Sequence, residues 1–241
     1  MEVEVWAHRG YSCQFPENTL EAFESALSLG ADGLELDVHF TSDEQIVVTH
    51  DESIERVSDG VGRVADQTLA QLRSYNFHKT KPEAVQVAKI PLLSEVLELV
   101  KPTQAMINIE IKSGIVLYKG IEKATWELVR DFGMQDRILF SSFNHFSLAT
   151  LKQIDFHAKI GLLYSEAMVD PALYAKHVKA DAIHPFYPTC FAPGVMEGCR
   201  EENIDVNPWT VDDPEMMCSL KKQGVHAIIT NDPLLALSVL R

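Results

Sequence analysis

Three acidic side chains and two histidines stand at spacings that could bind a cation and move protons. Glu35 and Asp37 lie two apart in the run Gly33 to His39, so in an extended strand they share one face. Asn108, Glu110 and Lys112 repeat the spacing in and just past the run Met106 to Ile111. Three carboxylates (Glu35, Asp37 and Glu110) pointing into one mouth repel one another, and such a cluster either takes up protons or binds a cation. A single carboxylate would be accounted for by a partner such as Lys112 or Arg9. Three on adjacent strands, flanked by apolar residues, point to a divalent metal, and oxygen-only ligands suit Mg²⁺ or Ca²⁺ better than Zn²⁺.

His8 and His50 end neighbouring extended segments. A lone histidine at such a place is ordinarily a satisfied polar residue. A pair differs, because cleaving a phosphodiester needs one group to accept a proton and another to protonate the leaving oxygen, and imidazole does either near neutrality. Arg9 and Lys112 are cations suited to phosphate oxygens. The other seven histidines read as structural, with His39 and His184 set apart only by standing at strand ends.

The elements that must carry these residues alternate short β-branched runs with longer helical patterns, the mark of an α/β fold with a parallel sheet. Strands are expected at Val3 to Ala7, Gly33 to His39, Met106 to Ile111, Ile138 to Ser141, Ala158 to Leu163, Ala182 to His184, Asp205 to Trp209 and Ala227 to Thr230. Gln45 to Thr49 reads as an extended continuation of the second. Helices are expected at Glu17 to Leu29, Lys119 to Phe132, His145 to Ile154, Pro171 to Lys179, Val195 to Glu202, Pro214 to Gln223 and Pro233 to Leu240. Eight such units favour a closed (β/α)₈ barrel over an open sheet, and 241 residues fit one such domain of about 250. Residues 51 to 91 are polar and irregular, apart from a short helical stretch at Leu69 to Tyr75. That is too long for a plain connector and reads as an insertion covering the active-site end of one domain, 1 to 241.

A net charge of −14 argues against nucleic acid, whose phosphates demand clustered Lys and Arg, and against docking on an anionic membrane by charge. No apolar run approaches the ~18 residues of a spanning helix, and no leader or membrane anchor is visible. Four cysteines without metal-type spacing read as reduced thiols in a cytoplasmic protein. Self-association into a homo-oligomer is compatible with all of this.

In order along the chain, His8-Arg9-Gly10, Pro16-Glu17-Asn18-Thr19, Glu35-Leu36-Asp37-Val38 and His50-Asp51 together resemble the signature of the glycerophosphodiester phosphodiesterase family. Glu110-Ile111-Lys112, Ser141-Ser142-Phe143, Asn207-Pro208-Trp209-Thr210 and Ile228 to Pro233 resemble its later blocks. The closing block has Asn231 where an acidic residue is frequent in the family. The resemblance implies a TIM barrel with a small insertion after the second strand. It also implies metal-dependent hydrolysis of deacylated phospholipids such as glycerophosphocholine or glycerophosphoethanolamine, giving sn-glycerol 3-phosphate and an alcohol. By position, His8 and His50 become the acid–base pair, Glu35, Asp37 and Glu110 the metal ligands, and Arg9 and Lys112 the phosphate cations. Glu17 becomes a further metal or hydroxyl contact, and Trp209 and Phe186 candidates for packing the glycerol or the alcohol.

Two rival readings remain at this level. One is a lipid-cleaving relative, above all a lysophospholipase D, which would want apolar surface around the mouth where the sequence offers no obvious exposed apolar helix. The other is a non-catalytic barrel that binds phosphorylated ligands.

Overall fold

The computed structural model describes residues 2–241. Eight parallel strands form the barrel wall: β1 (Glu4–His8), β2 (Gly33–Phe40), β4 (Met106–Ile111), β5 (Ile138–Ser142), β6 (Ile160–Tyr164), β7 (Ala182–Pro185), β8 (Asp205–Val206) and β9 (Ala227–Thr230). They neighbour one another in the order β8-β7-β6-β5-β4-β2-β1-β9. Between the two ends of that row the backbone still bonds: His226 N–H donates to Val206 O (3.0 Å), Ile229 N–H to Pro208 O (3.0 Å) and Val211 N–H to Ile229 O (2.9 Å). The wall therefore closes into a (β/α)₈ barrel, although the seam at β8 and β9 is carried by three bonds outside any regular ladder.

Helices α1 (Leu20–Ser28), α3 (Leu93–Val100), α4 (Ile121–Phe132), α5 (His145–Ile154), α6 (Pro171–Val178), α7 (Val195–Glu202), α8 (Pro214–Gln223) and α9 (Pro233–Leu240) cover the outside. Alternation divides the strand residues. Val5 and Ala7, Leu34, Leu36 and Val38, Ile107 and Ile109, and Ile138 and Phe140 pack outward in the main core with the helices. The alternate positions fill the barrel with Trp6, Ala227 and Ile229 and with polar groups. His184 is fully buried there between Asn207 Nδ2 (3.1 Å) and Asn108 Nδ2 (3.4 Å). Gly161 makes room for it, since a Cβ there would lie 2.5 Å from His184 Nε2.

The structure departs from the expected elements most clearly at three places. The stretch after β2 is not a continuation of it: β3 (Ile46–Val48) turns back antiparallel, pairing Val38 with Val48 and Phe40 with Ile46. Thr41 makes the turn. Its N–H donates to Gln45 O (3.0 Å), its Oγ1 donates to Asp43 Oδ1 (2.6 Å) and accepts from Gln45 N–H (2.9 Å), and Glu44 adopts φ 57°. The first helix starts at Leu20 rather than Glu17, because Asn18 turns left-handed (φ 56°) and Thr19 caps the helix. Helix α3 was not expected at all, yet its Leu93, Val96, Leu97 and Val100 are buried at the helical period.

Residues 51 to 91, with helix α2 (Leu69–Leu72), form a cap with its own small core of Ile54, Val57, Val64, Leu72, Phe77 and Ile90 packed on Val47 of β3. No helix among the described residues is long and apolar enough to cross a membrane.

Candidate active site

The end of β1 and the β2–β3 hairpin bring the chemistry together at the C-terminal mouth of the barrel. After β1 the chain turns sharply, with Arg9 at φ 57° and Gly10 at φ 81°. Gly10 is required there, since a Cβ would lie 2.6 Å from the backbone of Ala22 in α1. The turn leaves the Arg9 N–H donating to Glu35 Oε2 (3.0 Å) and the Arg9 guanidinium between Glu17 Oε1 (2.8 Å) and Asp37 Oδ2 (3.5 Å). The hairpin returns His50 to the same mouth, tied by Thr49 N–H to Asp37 O (3.0 Å).

A cavity of about 70 Å³ opens between them, lined by His8, Arg9, Glu35, His50, Asn108, Glu110, Phe143, Leu163, Trp209, Thr210 and Ile229. Glu35, Asp37 and Glu110 are buried and each offers a carboxylate oxygen, all within 4.8 Å of one another. Both expected pairings are present as well. Lys112 Nζ lies 2.8 Å from Glu110 Oε1 and 3.7 Å from Asp37 Oδ1. Three carboxylates thus face two cations, Arg9 and Lys112.

Their electrostatics differ one by one. Burial pushes Glu35 well above the usual carboxylate range, with Asp37 and Glu110 adding repulsion, and burial with Asp37 raises Glu110 too. At Asp37 burial also opposes ionisation, but His50, Arg9, Lys112 and a hydrogen bond from Asn18 Nδ2 (2.8 Å) hold the group far below its ordinary value. Asp37 Oδ1 is buried without a hydrogen-bond donor. An orphaned anionic oxygen beside two carboxyls that resist ionisation is the setting a divalent cation relieves. The trio fits Mg²⁺ or Ca²⁺ by its all-oxygen donors.

The histidines have unlike supports. His8 Nδ1 lies 2.7 Å from Asn231 Oδ1. The Asn231 amide is oriented by Asp212, whose Oδ2 accepts from Asn231 Nδ2 (2.7 Å) and whose Oδ1 accepts from the Asn231 N–H (2.8 Å) and from Thr230 Oγ1 (2.9 Å). With its oxygen toward the ring, the amide accepts the Nδ1 proton and leaves the His8 Nε2 lone pair toward Glu35, 3.9 Å away. Burial and Arg9 lower His8 to about 4. His50 Nδ1 instead meets the carboxylate of Asp51 at 2.6 Å, and its Nε2 lies 3.2 Å from Lys112 Nζ. Burial opposes ionisation of Asp51, but hydrogen bonds from Arg56 and His50 bring it down to about 2.

Two of the expected contacts are placed differently. Glu17 stands at the edge of the site, off the cavity wall, with both its oxygens accepting from guanidiniums, Arg9 at 2.8 Å and Arg56 at 2.7 and 2.8 Å. Trp209 lines the cavity, its Nε1–H donating to His184 O (2.8 Å). Phe186 lies against Trp209 (centroids 5.9 Å apart) but is 39% exposed and off the cavity wall. The second aromatic of the wall is Phe143, edge-on to Trp209 at 5.5 Å, because the chain leaves β5 directly over the mouth. Asn231, Asp212, Asn18 and Arg56 received no role from sequence. Only Asn18 and Asn231 lay inside recognisable motifs.

The chain as a whole is similar to known proteins. Residues 8–235 match the model of the Glycerophosphoryl diester phosphodiesterase family. The chain is 43% identical over 241 residues to the glycerophosphodiester phosphodiesterase of Caldanaerobacter subterraneus subsp. tengcongensis, covering 100% of this chain and 99% of that protein. It is 36% identical over 232 residues to that of Bacillus altitudinis, covering 95% of each. A phosphodiesterase of Oleispira antarctica, solved in complex with the product sn-glycerol-3-phosphate, superposes with a TM-score of 0.90 at 28% identity over 99% of this chain and 96% of that one. With the family's pattern running through nearly the whole chain and its relatives matched end to end, this protein is an enzyme that belongs to the glycerophosphoryl diester phosphodiesterase family.

Proposed function

We propose that this enzyme hydrolyses glycerophosphodiesters to sn-glycerol 3-phosphate and a free alcohol, using His8 and His50 for proton transfer. The observation that carries this is one cavity lined by both rings and by Glu35 and Glu110. Glu35, Asp37 and Glu110 would hold Mg²⁺ or Ca²⁺, which when bound supplies Lewis-acid stabilisation of the glycerol hydroxyls and phosphate charge. Arg9 and Lys112 hold the phosphate oxygens.

With Nδ1–H donated to Asn231, His8 takes the proton of the glycerol 2-hydroxyl at Nε2 as that oxygen attacks phosphorus. His50, its Nδ1 on the carboxylate of Asp51, which stabilises a charged ring, gives a proton to the departing alcohol. Protonation of His50 at Nε2 ends its contact with Lys112 and frees the ammonium for the phosphate. Water then attacks phosphorus, giving a proton to His50, while the bond from the glycerol O2 to phosphorus breaks and His8 returns its proton to O2. The whole chain, with the 51 to 91 insertion, works as one domain in this reading, and the free thiols of Cys13, Cys190, Cys199 and Cys218 suit a reducing cytoplasm.

The test is release of glycerol 3-phosphate from several glycerophosphodiesters after metal stripping and readdition. Full turnover in stripped protein would refute the metal assignment, and binding without turnover would make the chain a phosphate-ligand barrel. A lysophospholipase D reading is favoured by one observation. Phe143, Phe146, Ile115 and Leu117 are 46 to 85% exposed, and Asn144 Nδ2, donating to Ser113 O (3.0 Å), ties the start of α5 to the loop that carries Ile115 and Leu117. Parallel assays on glycerophosphocholine and lysophosphatidylcholine decide between the two.

A further inference from the structure

From the cap at residues 51 to 91, Arg56 reaches the carboxylates at the edge of the site. Arg73 pairs with Glu95, Lys79 donates to Glu55 O and Lys89 to Tyr75 O, all within the cap or beside it. Arg56 differs. Its Nε and Nη2 donate to Asp51 (2.6 and 3.2 Å), and its Nη1 and Nη2 donate to Glu17 (2.7 and 2.8 Å). Asp51 in turn holds His50 Nδ1 (2.6 Å), and Glu17 holds Arg9 Nη1 (2.8 Å). One planar fork therefore joins two carboxylates, each of which grips a different working side chain.

We propose that Arg56 is a positioning residue that fixes His50 through Asp51 and Arg9 through Glu17, so that the cap governs the rate of proton transfer rather than merely covering the mouth. The inference rests on the acid–base reading of His50.

The physical case has three parts. A carboxylate such as Asp51 can turn about its side chain, and only one that is itself held can fix an imidazole in one orientation and one tautomer. Asp51 and Glu17 are like charges brought to one guanidinium, so without Arg56 they repel and separate, drawing His50 and Arg9 out of register. Arginine is needed because five donors in a rigid plane can serve two carboxylates at once, whereas lysine is a single point charge. The fold does not depend on this side chain, which is 44% exposed. The cap is held by the buried side chains of Ile54 and Val57 on either side of it and by Ile54 N–H to Gly62 O (3.1 Å).

Steady-state kinetics on glycerophosphocholine with the metal-supplied enzyme tests this. Arg56→Ala should lower kcat by roughly 10- to 100-fold, the usual loss when a supporting partner is removed, while KM changes far less. Arg56→Lys should fall between it and the wild type, and added guanidinium ion should restore part of the Arg56→Ala rate. In a double-mutant cycle, adding Arg56→Ala to Asp51→Asn should cost clearly less than Arg56→Ala costs in the wild type, because the His50 arm is already lost and only the Glu17–Arg9 arm remains. The ¹⁵N NMR signals of His50 should report a single Nδ1-protonated tautomer in the wild type and a mixture in Arg56→Ala. Fully additive losses, or an Arg56→Ala with native kcat beside a slowed His50→Ala, overturn the inference alone. A native rate for His50→Ala overturns the acid–base reading and this inference with it.

Discussion

His8 and His50 are chemically alike, and their neighbours make them different: a neutral amide behind one ring, a carboxylate behind the other. General acid–base groups contribute about 10²- to 10⁴-fold, so His8→Ala and His50→Ala should each lose turnover of that order with unchanged thermal midpoints. The double variant should lose far less than the product of the two, since the rings act as a unit. Turnover measured beside thermal unfolding checks this, and a folded His50→Ala of native rate would end the assignment. Stripping the metal should abolish activity, Mg²⁺ or Ca²⁺ should restore it, and the added ion should raise the thermal midpoint by mass action. The rise should vanish in Asp37→Asn, whose orphaned oxygen is the one in need of a cation. At this scale much was legible. A period of two fixes which residues share a strand face, and that is enough to gather Glu35, Asp37 and Glu110. Arg56 was not legible, because its partner Glu17 is 39 positions away and nothing local in the sequence links them.

The β2–β3 hairpin is the element on which His50 depends. Side chains alternate along it, so a one-residue change in the Thr41–Gln45 turn would flip its outgoing arm and carry His50 away from the mouth. Glu44 at the tip sits at φ 57°, a conformation that costs a side chain about 1–2 kcal/mol, partly offset in glycine by its greater unfolded freedom. Glu44→Gly should therefore stabilise the fold by up to about 1 kcal/mol without changing kcat, as read from denaturant unfolding and turnover. A destabilised Glu44→Gly would contradict that account. Reading Gln45 to Thr49 as a continuation of β2 passed over Ser42 and Asp43, which favour turns, because no glycine or asparagine marks the left-handed position that Glu44 takes. Helix α3 was missed for another reason. Its pattern follows Pro91 with only Leu92 between, and its first turn is capped not by Ser, Thr, Asp or Asn but by Glu95 reaching back to the Leu92 N–H (2.8 Å). The helices opened by Asn144, Asp213 and Asp232 carry side-chain caps and were read to the residue.

Over the whole barrel, the interior carries a charge-sensitive group that no proposed step uses, one residue behind the cavity wall at Asn108. Burial lowers His184 from 6.5 to about 3. The unfolded chain binds this proton first, so the stability His184 confers as a neutral ring is complete above pH 6.5 and is lost as pH falls toward 3. The wild type should lose up to about 1.4 kcal/mol per pH unit more than His184→Gln below pH 6. Denaturant unfolding at pH 7, 6 and 5 measures the difference, and equal slopes would remove His184 as the cause. Barrel closure was legible only as a count of eight units, because pairing between β8 and β9 is a matter of geometry rather than residue type. The join that geometry made is thin, and it sets where the wall breathes. Three backbone bonds hold it, whereas β2 and β4 share six paired positions. Deuterium uptake should therefore begin along this line, with the amides of Val211, His226 and Ile229 exchanging ahead of those in β2 and β4. Trp209 and Asn231 flank the same line, so local opening there would loosen the aromatic wall and the support of His8 while leaving the carboxylate trio closed.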